Sequence, residues 1–463
     1  MQHSQSRIVR TLALTCALVI CLFASFGRIA YAEVVHGCDF SRTEGINATD
    51  TAAKCALSAF KRSDTVVVVS TATPAEALVG LSLAGSLDCA LLESDPVILT
   101  DSVTLALRSL GAKNVILCGT PESLTAPIED GIRSQGLKVE RLGGATAAEI
   151  SLSAFQKIRA TKPSSPALAV VSAADATGAV SLGAWAYQSV SPVLVTTEAG
   201  LLTDAQVAAI HADPGISRVI VSGPTSIIDG AVYDQIGAIY HITRLDVADA
   251  RQTAAVSALW TADWGLAWTE PVVASVASPT DGIAAGLLAG KQGVVLEVVG
   301  NTDDAIALTR AYGAQPKKAT LVGTAATLAP ATGSVSFTFD LSPKESAIVT
   351  AAKDTPFPGP SLCAQWVSDV YAAGGFARPY GDARDMYAAW CSSSDVYGLR
   401  PGMIIGVPRH PHTEAGSIYG HVAIYMGFGM VRQSGTEVVR ELSLAEWIAH
   451  YGETVIPGWG FAG

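Results

Sequence analysis

The sequence predicts an α/β protein: three doubly wound parallel-sheet units in tandem, followed by a C-terminal domain of different composition. Three observations carry this. Apolar strand runs recur about a hundred residues apart, each run is continuous rather than alternating, and tryptophan concentrates in the last quarter of the chain. The 463 residues are long enough for several domains. Charged residues make up 15% and the net charge is −11, which argues against disorder and against a nucleic-acid partner held by bulk electrostatics.

The N-terminus reads as an export signal. Arg7 and Arg10 precede the uncharged stretch Thr11 to Phe26, and Ala30-Tyr31-Ala32 offers a small-x-small cleavage site. Residues 1–32 are therefore expected to be removed. The stretch is shorter than the ~20 residues of a spanning helix, and Thr65–Ser70 and Val294–Val299 read as buried strands, not membrane spans. Six cysteines remain after cleavage. Cys38, Cys55, Cys89 and Cys118 allow three disulfide pairings among which spacing does not choose, and the absence of any C-x-x-C argues against a thiolate zinc site.

The repeat can be followed element by element. First strands are Val66–Ser70, Leu168–Ser172 and Val272–Ser275, each followed by a small-residue helix at Ala75–Gly85, Thr177–Tyr187 and Asp281–Gly290. Second strands are expected at Pro96–Thr100, Pro192–Thr196 and Gly293–Glu297. Third strands end in glycine at Val115–Gly119, Val219–Gly223 and Thr320–Gly323. This period exceeds the ~20–50 residues of solenoid repeats, so each copy is a small domain. Continuous Val/Ile/Leu strands alternating with helices indicate parallel sheet covered on both faces. No strand-end glycine opens a G-x-G-x-x-G, so a dinucleotide site is not expected.

Three features resemble the type 2 cell-wall-binding repeat: the Arg141–Glu149 junction, the helix start Pro74-Ala75-Glu76-Ala77-Leu78 and the Val-Ile-x-x-Gly strand. The resemblance implies three Rossmann-like units around a pseudo-threefold axis, at 43–141, 142–244 and 245–340, adhering to an anionic polymer of a Gram-positive wall. Copy two departs from it, with Gly178 where Glu76 and Asp281 supply an acid, and the family's Arg-Tyr pair is absent after the glycines.

Residues 341–356 read as a linker, with the Pro-rich run 354–360 stiff and poor in shared core. Beyond it, Ser361 is expected to cap a helix over Leu362–Tyr371, placing Cys363 in its first turn. There the helix N-terminus favours a thiolate of lowered pKa, and the Cys363 N–H is a candidate oxyanion donor. Met403–Val407 and Gly420–Gly427 read as strands, with His421 at the start of the second and Gln433 on the return strand. A thiol, an imidazole and an orienting amide in that order suit acyl transfer. Cys391 is expected to be core packing. His410 and His412 could join His421 on zinc, but Glu414 is the one suitably spaced acid and no thiolate is, so neither a metal nor a cofactor is expected.

Leu362-Cys363-Ala364-x-Trp366-Val367, Leu399-x-Pro401-Gly402 and Gly420-His421-Val422-x-Ile424-Tyr425 resemble the NlpC-type cell-wall peptidases, a papain-like family, over 357–463. The resemblance implies an α+β papain-like domain with Cys363 as nucleophile, His421 as base and Gln433 as third residue. It implies cysteine hydrolysis of amide bonds in peptidoglycan stem peptides. Leu362 and Met403 stand where the family commonly has Asp, and the first of these departures bears on substrate recognition. Two alternatives fit the same residues: an N-acetylmuramoyl-L-alanine amidase using the Cys363/His421 dyad, or a wall-binding adhesin with an inactive peptidase domain. Either way the expected location is outside the cell, on the wall.

Overall fold

The structure is a computed structural model that describes residues 33–35, 37–161, 165–237, 240–245, 247, 249–331 and 335–463. The expected export signal lies outside the described residues. Among the described residues there are three sheets with four parallel strands each, one of them extended by an antiparallel edge, and one antiparallel five-stranded C-terminal sheet.

The first sheet runs Lys138–Arg141, Asn114–Leu117, Thr65–Ser70, Ala90–Ser94. The second repeats that order with His241–Leu245, Arg218–Ser222, Ala167–Val171 and Val193–Val195. The third has Lys318–Val322, Ala267–Ser275 and Val294–Val299 in the matching places, and its remaining parallel strand is Cys38–Thr43 from the start of the chain. Glu33–Val35 adds an antiparallel edge there. The N-terminal strand thus closes the last repeat.

Each closing strand carries an arginine as its last or next-to-last residue, and the three do the same job. Arg141 donates to the Gly119 and Leu124 carbonyls at 3.3 and 2.7 Å. Arg244 reaches Gly223 and Ile228 at 2.6 and 3.1 Å, and Arg42 reaches Gly323 and Leu328 at 2.8 Å each. Charge-assisted bonds of this kind contribute ~1.5–3 kcal/mol each. They tie the fourth strand to the loop after the third, and Arg42 does so across the whole length of the repeats.

Strand residues alternate between two covered faces, as continuous apolar runs require. In the second repeat Ala169 and Val171 face the core shared by all repeats, while Leu168 and Val170 face a separate outer cluster. Helices Pro74–Leu87, Gly183–Gln188 and Pro279–Gln292 pack against one another at the centre. Their small residues permit this: a Cβ on Gly85 would lie 2.1 Å from the Tyr187 carbonyl oxygen.

Two elements differ from the sequence reading. The second strand of copy one is Ala90–Ser94, whereas Pro96–Thr100 is a loop in which Asp95 Oδ1 accepts from the Val97 and Ile98 N–H groups. Glu93 hides the strand from a hydropathy reading; it is fully buried, and burial pushes its carboxyl well above the ordinary range. The described cysteines are free: Cys38, Cys55, Cys89 and Cys118 are buried thiols in apolar surroundings.

Residues 341–356, read as a linker, contain the helix Pro343–Asp354 with a Ser342/Glu345 capping box. Its Ile348 and Ala352 are fully buried with Trp366 and Val370. The C-terminal sheet has the order Val439–Ser443, Met430–Ser434, His421–Gly427, Ile404–Val407, Gly458–Gly460. Ile404, Val422 and Ile424 face its own helices. Ile405, Val407, Ala423 and Tyr425 belong to the core that continues into the repeats. Polar bonds cross the same boundary: Tyr425 donates to the Ala311 carbonyl at 2.7 Å, and Gln252 bonds Asp395 and the Val396 N–H at 2.7 and 2.8 Å. The two halves share a core, contrary to the tethered arrangement that the prolines suggest.

Candidate active site

Cys363 opens the helix Cys363–Ala373, which packs on the strand His421–Gly427. The expected cap is not used. Ser361 has φ +61° in the left-handed region, and Leu362 occupies the cap position without a side-chain bond. The first-turn N–H groups are therefore left for the sulfur. Burial pushes the Cys363 thiol above the ordinary cysteine value and Asp382 adds to the rise, while the Val422, Ala364 and Cys363 N–H groups pull it down. The thiol is raised where the helix N-terminus leads us to expect a lowered pKa, because lost hydration outweighs the three backbone N–H bonds.

His421 is buried at the start of its strand, with a ring nitrogen (Nε2) 2.8 Å from Gln433 Oε1. Trp447 Nε1 donates to the same oxygen at 2.9 Å. An indole can only donate, so the group it meets is the amide oxygen. His421 Nε2 therefore carries a proton and its free lone pair is on Nδ1. Tyr451 stacks on the imidazole with ring centroids 4.4 Å apart. Burial lowers the His421 pKa to about 4; the Gln433 bond opposes this and Arg440 adds to it.

Cys363 and His421 line one cavity of about 390 Å³, together with Asp382, His410, Arg440 and Tyr451. Cys363, His421 and Gln433, chosen from sequence, thus fall in one place. Trp447, Tyr451 and Arg440 were not singled out. The signal for Trp447 and Tyr451 is their i, i+4 spacing on the helix Leu444–Tyr451, which reads as ordinary core until the helix is seen over Gln433; Arg440, on the strand Val439–Ser443, has no such signal. Cys391 is packed in the core, its pKa pushed up to about 12 by burial. His412 stacks on His450 at 3.8 Å, and its Nε2 meets the His450 carbonyl. The His410 ring stands edge-on to His421 at 6.0 Å, and burial first, then His421 and His412, lower its pKa to about 4.

Fold and site together define a class: a parallel α/β triple repeat carrying a helix-borne thiol with an amide-held imidazole. Searched against known families, the chain matches no family model. It is 24% identical over 195 residues to the N-acetylmuramoyl-L-alanine amidase LytC of Bacillus subtilis, covering 42% of this chain and 38% of LytC. Among solved structures, Cwp6 from Clostridium difficile matches 62% of this chain and 45% of its own with a TM-score of 0.55 and 19% identity. Cwp8 from the same organism gives 62%, 49%, 0.54 and 19%. The likeness is one of fold. The chain spans less than half the length of each of these proteins.

Proposed function

We propose that this protein is an exported, wall-associated cysteine hydrolase that cuts amide bonds in peptidoglycan stem peptides. The observation that carries the reading is the juxtaposition of Cys363 and His421 in one cavity, with His421 held in a single tautomer by Gln433, whose Oε1 also accepts the Trp447 indole N–H. In this reading Cys363 Sγ attacks the scissile carbonyl while His421 Nδ1 takes the thiol proton. Both groups rest neutral, given the directions of their pKa shifts, so proton transfer accompanies attack. The N–H groups at the helix start stabilise the oxyanion. His421 then returns the proton to the leaving amine, and water resolves the thioester to a free carboxylate and thiol. The repeats hold the enzyme on an anionic wall polymer, and no cofactor is called for.

The likeness to LytC favours a second reading for the same dyad, cleavage between the muramoyl group and L-alanine. Mass spectrometry of purified walls digested by the full chain separates the two. New amino termini on the diamino acid support the endopeptidase, and free L-alanine termini support the amidase. Walls that release neither overturn both.

A further inference from the structure

A cleft of about 1190 Å³ lies between the repeats and the C-terminal domain, beside the cavity of Cys363. The two share His412, Arg440 and His450 as wall residues, so one continuous surface leads from the thiol to the repeats. On the repeat wall, the Arg218 guanidinium carbon lies 4.4 Å from the centroid of the Trp264 ring, which itself stacks on Trp260 at 5.2 Å. This ladder occupies one flat face of the guanidinium and leaves its in-plane N–H fork for a ligand. Among the described residues no acid pairs with Arg218; burial lowers its pKa, and His241 on the same wall is lowered by burial and by this guanidinium. Four acids also line the cleft, and two of them are engaged by other groups. Asp263 accepts the Ser443 hydroxyl at 2.5 Å and Glu453 stands 3.4 Å from His412. Asp234 and Glu446 lie in the first turns of their helices. A half-buried guanidinium without a counter-charge is costly unless an anion meets it.

We propose that this cleft is the distal part of the substrate site, in which Arg218 takes a free carboxylate of the wall peptide whose amide lies at Cys363. The proposal rests on the hydrolase reading above. It makes the second repeat a contributor to specificity as well as an anchor. A planar fork suits a carboxylate bidentately, and the shared walls make the occupant part of the molecule being cut.

The test uses the full chain and two soluble muropeptides, one with free carboxylates and one amidated. On the unaltered protein the amidated form should show a KM ~10- to 100-fold higher, the scale of a lost charge-assisted contact. Arg218→Gln should raise KM equally for the free form, leave kcat in place and abolish the difference between substrates; Arg218→Lys should restore part of it. Titration calorimetry in the Cys363→Ala background reads the same loss as a Kd. If neither muropeptide is cut but that loss of binding persists, the hydrolase reading fails and the anion site stands. Equal KM and equal Kd for both forms on the unaltered protein overturn the proposal. So does displacement of the muropeptide by inorganic phosphate alone, which would mark the site as one for phosphate.

Discussion

Replacing Gln252 by Leu tests whether the repeats are built into the C-terminal domain or merely tethered to it. The side chain is buried; it donates to Asp395 at 2.7 Å and accepts the Val396 N–H at 2.8 Å. Leucine has a similar volume and makes neither bond. Val396 is fully buried, so its N–H would be left without a partner at ~1–3 kcal/mol. Asp395 keeps the Tyr397 N–H and the nearby Arg251, so its loss is smaller, ~1 kcal/mol. The sum is ~2–4 kcal/mol. If the chain unfolds as one unit, an unfolding entropy of about 0.9 kcal/mol per kelvin converts this to a fall of ~2–4 °C in Tm. Calorimetry measures the shift, and hydrogen exchange followed by mass spectrometry should show faster exchange around Val396. A variant with parent Tm and parent exchange at Val396 would refute the idea that this contact joins the two halves.

Three further outcomes are expected. Cys363→Ala should reduce turnover at least ~1000-fold with an unchanged melting profile, and higher residual activity would point to a different nucleophile. Burial holds His410, His421 and His450 near about 4, whereas the unfolded chain titrates them near ~6.5. The unfolded state then binds more protons between those values, so Tm should fall as pH drops from ~6.5 toward ~4, and a flat profile would contradict the burial of these rings. The isolated segment 357–463 loses the helix Pro343–Asp354 and uncovers Ile405, Val407 and Tyr425. It should aggregate or lose cooperative melting, and a soluble fragment with parent activity on muropeptides would show the shared core to be dispensable.

Much of the molecule was legible in the sequence by itself. Apolar runs ending in Gly119, Gly223 and Gly323 recur about a hundred residues apart, and strand, turn and helix chemistry are local properties that survive in a linear reading. The Cys363 helix and the His421 strand announced themselves similarly, through short motifs with a chemical reason for each residue. Cys38–Thr43 did not. Its sequence, CDFSRT, has no apolar run, and it becomes a strand because the third sheet offers a vacant parallel edge some 280 positions away, where Arg42 finds the Gly323 carbonyl. Arg42, Arg141 and Arg244 lie at the repeat's own spacing, but their common role appears only once the third strand and its loop stand beside them. The docking of the C-terminal sheet is of the same kind. Proline-rich composition at 354–360 describes local stiffness, whereas Tyr425 on Ala311 and Gln252 on Val396 depend on two surfaces being complementary. Local pattern determines which elements form; which elements meet is decided by burial and hydrogen-bond satisfaction summed over the whole chain, and that sum is available only to the folded molecule.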